Sequence, residues 1–120
     1  MKIAISASGR DLDAQIDPRF GRASCFLVID PETMDFEIVE NIQNYNAPQG
    51  AGIQAAAMVA RTGASVVLTG HCGPKAFQTL KAAGIKMVVG ANGSVRDAVK
   101  KFRDGRVEYA QGPDVESHWI

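Results

Sequence analysis

The chain has 120 residues, 46% of them hydrophobic and 22% charged, which excludes disorder as the main state and fits one domain with a real core. Thirteen Lys and Arg balance thirteen Asp and Glu, and this zero formal charge argues against a dedicated nucleic-acid or membrane-surface binder. No apolar run approaches the ~20 residues that cross a bilayer.

In chain order, Lys2 to Ser6 reads as a strand, and the apolar run Cys25 to Asp30 as a second. Pro31 to Met34 makes a turn. Phe36, Ile38, Glu40 and Ile42 then alternate with Glu37, Val39 and Asn41, a period-2 strand paired back in a hairpin. A glycine-rich stretch, Gln49-Gly50-Ala51-Gly52, opens a first helix. From there a helix ends near a glycine and an extended stretch follows, three times: Gly63 before Ser65 to Gly70, Gly84 before Ile85 to Gly90, and Gly105 before Arg106 to Tyr109. Val66-Val67-Leu68 and Met87-Val88-Val89 are apolar throughout, as parallel strands covered on both faces require. The third helix is the best defined. Val95, Ala98, Val99 and Phe102 fall at i, i+3, i+4 and i+7, behind a Ser94 cap and Asp97. The predicted order is β-β-β-α-β-α-β-α, an α/β fold with strands one, four and five parallel and strand two against them. Residues 1–110 form the domain and 111–120 a tail. The acidic hairpin contrasts with residues 61–106, which hold nine Lys or Arg and two Asp, a pattern expected of two solvated faces.

In open α/β sheets, ligands bind beyond the carboxyl ends of the parallel strands. Three segments should meet there: Ser6 to Arg10, Thr69 to Lys75, and Gly90 to Ser94. The last two lead into helices whose first amides are unpaired and partly positive, and therefore seat anions. Pro74 suits a first helical position.

The loop Thr69-Gly70-His71-Cys72-Gly73-Pro74-Lys75 carries the most chemistry. A phosphate-binding GxxxxGK[ST] loop needs four residues between its glycines and a hydroxyl after the lysine; this one has two, then alanine. It does place a thiol beside an imidazole at a helix start, a setting that lowers a thiol pKa, with Lys75 nearby. Thiolate and imidazole both ligate soft or borderline metals. The structural alternative makes Cys72 a small buried residue and His71 a helix cap. Cys25, inside a strand run, is expected in the core. Upstream, Arg19 and Arg22 flank Phe20 and Gly21, where two guanidinium forks suit a multi-oxygen or sulfur anion, or a turn braced by Asp17 and Arg19.

Several chemistries fail on residue count. A structural zinc site wants four Cys or His ligands, and the chain has two of each, with His118 in the tail beside Trp119. Two-metal nucleases need carboxylates from strand ends, and strand one carries none, while Asp11, Asp13 and Asp17 share one loop and are expected to be solvated. No GxSxG elbow is present. The basic face of the third helix (Arg96, Lys100, Arg103) is expected to be solvated rather than bound to nucleic acid. An enzyme, such as one acting on a small phosphorylated metabolite, ranks last. A preassembled anionic cluster brings its own ligands and asks only for a positive, glycine-lined seat.

Three ordered blocks carry a family resemblance: Ile16 to Ser24 with Phe26 to Asp30, Asn46 to Gly90, and Ser94 to Gly105. Together they resemble the dinitrogenase iron–molybdenum cofactor biosynthesis family over residues 1–107. The resemblance implies a ribonuclease-H-like three-layer sandwich, a mixed five-stranded sheet with three helices, lacking that fold's nuclease acids. It also implies non-catalytic binding of a molybdenum-containing metal–sulfur cluster. The chain is most similar to the short, stand-alone members, which implies a molybdenum–copper sulfide cluster held non-covalently. Arg19, Phe20 and Gly21 match the family's RFG block, Gly50 and Gly52 its G-A-G block, and Gly70, Gly73 and Pro74 its turn.

The expected function is therefore a cluster carrier or store, not an enzyme. Arg19, Arg22 and Lys75 supply positive potential. Amides at Gly50, Gly52, Gly73 and Asn92 donate to cluster sulfides, Gly21 of the RFG block belongs to the same cofactor-binding set, Phe20 shields one side, and His71 or Cys72 is an optional metal ligand. A cytoplasmic monomer is expected, because no signal region opens the chain and two cysteines without a Cys-x-x-Cys fit a reducing compartment. The inorganic cluster is its partner, with room for protein partners and none for nucleic acid or membrane. The alternative is a regulatory protein-interaction module on the same fold.

Overall fold

The structure is a computed structural model that describes residues 1–41 and 50–114. Five strands, β1 (Ile3–Ala7), β2 (Cys25–Ile29), β3 (Phe36–Glu40), β4 (Val66–Leu68) and β5 (Lys86–Val88), and three helices, α1 (Ala51–Ala60), α2 (Pro74–Ala82) and α3 (Val95–Arg103), follow one another in the predicted order β-β-β-α-β-α-β-α. They build one sheet in the order β3-β2-β1-β4-β5. β2 runs antiparallel to β1 and β3, with Ile5 opposite Leu27 and Leu27 opposite Ile38. β4 is parallel to both β1 and β5.

Every residue of β1, β2 and β4 is buried, which requires cover on both faces of the sheet. Alternate residues supply two cores. Ala4, Phe26, Val28, Val67 and Met87 meet Ala55, Ala56 and Val59 of α1 and Ala76 and Leu80 of α2. Ile3, Ile5, Leu27, Ile29, Leu68 and Val88 meet Val95, Ala98 and Val99 of α3. The result is three layers, helices on either side of a mixed sheet. α3 starts where predicted, with the Ser94 hydroxyl accepting from the Asp97 amide at 3.1 Å.

Residues 106–109 are extended, as expected, without forming a strand; the chain then meets the sheet through the Ala110 amide, which donates to the Met87 carbonyl at 2.7 Å. Lying past the edge of β5, it makes too few bonds to count as a sixth strand. The third strand ends at Glu40, and Ile42, Gln49, His118 and Trp119 lie outside the described residues.

Candidate functional site

The carboxyl ends of β1, β4 and β5 open onto loops that the backbone stitches together. His71 donates to the Pro18 carbonyl at 2.8 Å and Phe20 donates to His71 at 3.3 Å, a parallel bridge between Arg19 and His71. Gly90 donates to Gly70 at 2.7 Å and Ala91 to Thr69 at 3.1 Å; Ile16 donates to Gly93 at 2.9 Å. Segments 16–20, 69–72 and 90–93, far apart in sequence, thus form one edge.

Two glycines make the approach possible. A Cβ on Gly70 would stand 2.7 Å from the Pro18 Cα, and one on Gly21 would stand 2.8 Å from the Gly52 nitrogen. The second contact brings the start of α1 to the same edge. Gly50 precedes that helix at φ 75°, a conformation that glycine adopts without strain. Below, the buried Asn41 amide donates to the Gly21 and Ala23 carbonyls at 3.2 and 2.9 Å, fixing the loop that carries Arg19 and Arg22. The buried hydroxyls of Ser6 and Thr69 lie 2.7 Å apart and tie β1 to the turn after β4.

Charges around the edge are mixed. The Arg19 side chain is about half exposed, its Nε 3.9 Å from the Asp17 carboxylate, which also accepts from the Arg19 amide at 3.0 Å. Asp17 is therefore a buried turn brace rather than a solvated loop acid. Arg22 is half-buried, whereas Lys75 and Asn92 are exposed.

Two side chains depart from expectation. Phe20 is fully buried, its ring 5.2 Å from that of Phe26, and belongs to the core instead of shielding a ligand. The Cys72 thiol is also fully buried and in contact with the Gly73 carbonyl at 3.5 Å. Burial first, and then the nearby Asp114 carboxylate, push it up to about 12, opposite to the lowering expected at a helix start. Burial likewise raises Cys25, in the core as predicted.

Asp114 is the residue sequence reasoning missed. Its Oδ1 accepts from the Cys72 amide at 2.7 Å, and its Oδ2 pairs with His71 Nδ1 at 2.8 Å. Its own amide donates to the Cys72 carbonyl at 3.1 Å. The only local hint is the Gly112-Pro113 pair, a turn signal. Among the described residues, no group of three or more His, Cys, Asp or Glu could hold a metal ion, and no helix is long and apolar enough to cross a membrane.

The comparison that decides the family is a match over residues 1–105 to the model described as dinitrogenase iron-molybdenum cofactor. The chain belongs to that family. Within the dinitrogenase iron–molybdenum cofactor family it is close in structure to the apo form of the orange protein from Desulfovibrio gigas, at TM-score 0.92 and 50% identity, covering 95% of this chain and 96% of that one. It is also similar to a NifB-like protein from Thermotoga, at TM-score 0.81 and 32% identity over 96% and 97% of the two chains. An uncharacterized Methanocaldococcus jannaschii protein is 29% identical over 111 residues, 90% of each chain. Family membership places the chain among proteins tied to cofactor chemistry.

Proposed function

We propose that this chain is a non-catalytic carrier of a molybdenum-containing metal–sulfur cluster, a molybdenum–copper sulfide in the first instance, taken up at the stitched loop edge. The observation that carries the reading is an anion already seated there: the Asp114 carboxylate on the Cys72 amide and the His71 ring. A seat that holds a carboxylate through one backbone N–H and one imidazole has the donor chemistry an anionic sulfide or oxide cargo needs. Arg19 and Lys75 add positive charge from exposed positions, and Arg22 from a half-buried one. The amides of Gly21, Gly50, Gly52, Gly73 and Asn92 belong to segments at or next to the same edge. His71 is the side chain we assign to direct ligation. Cys72 would have to lose its proton and leave its buried site first.

The carrier acts as a cytoplasmic monomer in this reading. The strand order β3-β2-β1-β4-β5, with β2 alone reversed, supports the ribonuclease-H-like description of the fold. Mixing the apo protein with tetrathiomolybdate and cuprous ion tests the function. A visible charge-transfer band saturating at a stoichiometric ratio is expected, and its absence would overturn the proposal.

A second reading, a regulatory interaction module, draws on edge strand β3, where Phe36 and Ile38 stay 38% and 40% exposed. Its mark is a protein partner whose binding survives both Arg19→Gln and Cys72→Ala.

A further inference from the structure

After α3 the chain becomes a strap that crosses the open edge of β5 and ends against α2. It starts with the Arg106 amide on the Lys101 carbonyl at 2.9 Å and touches the sheet through the Ala110 amide on Met87. The Lys86 ammonium lies 5.0 Å above the Tyr109 ring. On either side of the strap is a cavity of about 360 Å³. One is walled by Leu68, Val88, Asn92 and Lys101, the other by Phe77, Leu80 and Ile85, and Tyr109 and Ala110 line both. A segment with few backbone bonds to its neighbours and a void on each flank opens at low cost relative to the core.

The far end of this strap is Asp114, bound to the same two donors that the carrier reading gives to its cargo. We propose that residues 106–114 form an internal latch, in which the Asp114 carboxylate occupies the His71–Cys72 turn until an anionic cluster displaces it and the strap lifts from β5. The inference rests on the carrier reading and adds its control. The latch fills the seat with a like-charged competitor, so a cargo meets a mostly closed population and binds more weakly than the seat alone would allow.

Wild type, Asp114→Ala and Asp114→Asn are titrated with tetrathiomolybdate and cuprous ion, and their amide spectra are recorded with and without that probe. Asp114→Ala is expected to bind about tenfold tighter than wild type, near 1.4 kcal/mol, with Asp114→Asn between them. The amide signals of Cys72 and residues 106–112 should shift in Asp114→Ala, and should move the same way when wild type is loaded. If wild type binds and Asp114→Ala binds no tighter, the latch is overturned and the carrier reading stands. If none of the three binds, the carrier reading fails and the latch with it. If the signals of Cys72 and the strap ignore Asp114→Ala, the closed contact is absent in solution and the latch is wrong whatever the cargo does.

Discussion

Gly21 lies against Gly52 so closely that a Cβ on the former would stand 2.8 Å from the latter's nitrogen and 2.9 Å from its Cα. Both partners are backbone, so no flexible side chain can yield. Gly21→Ala should therefore push the Arg19–Arg22 loop away from α1 and destabilise the fold by about 1–3 kcal/mol, the usual cost of overpacking. Urea unfolding measures it; an unchanged midpoint would mean that the two loops separate without strain.

The Cys72 thiol gives the fold an alkaline weakness. Folded, it keeps its proton to about pH 12, whereas in the unfolded chain it ionises near its ordinary value of 9.0. Above that value the unfolded state binds fewer protons, so stability falls as pH rises from about 9 toward 12 and is unaffected by this group below that window. Cys72→Ala should flatten the slope. Alkylation at pH 8 should label neither Cys25 nor Cys72 in the folded apo protein and both in denaturant, since both are buried. Fast labelling of Cys72 without denaturant would contradict its burial.

Ser94 caps α3 through the Asp97 amide. Ser94→Ala leaves that donor without its side-chain acceptor and should cost about 1 kcal/mol, seen as a Tm lower by about 4 °C. A Tm within error of wild type would show that solvent satisfies the amide equally well.

Arg19 is held at the site edge by its backbone, while its guanidinium is about half exposed. Arg19→Gln should leave stability within about 0.5 kcal/mol of wild type. Binding of tetrathiomolybdate and cuprous ion should weaken about tenfold, with a shallower dependence on salt. Undiminished binding would remove Arg19 from the proposed seat.

Much of the fold could be read from local pattern. Continuous apolar runs announced β4 and β5 as covered on both faces, and the spacing of Val95, Ala98, Val99 and Phe102 announced α3. Gly63, Gly84 and Gly105, read as helix stops, all take positive φ. The meeting of the loops after β4 and β5 followed from a general rule about strand ends. The side-chain environments did not follow. Phe20 and Cys72 sit in short loops, where no periodicity says which way a residue faces, and both turned inward. Asp17 sits among other loop acids yet is buried, because its carboxylate is needed to close the turn before Arg19. Nothing near Asp114 in the chain points to Cys72, 42 residues earlier.

The sequence by itself determined the order of elements, the strands that must be covered on both faces, the helix ends and the family, because each leaves a repeating or ordered trace along the chain. Only the tertiary structure decided which thiol is buried, which ring fills the core and which carboxylate occupies the seat at α2. Those outcomes depend on distances between segments brought together by packing, and burial or a charge a few ångströms away sets a group's chemistry more strongly than its neighbours in sequence do.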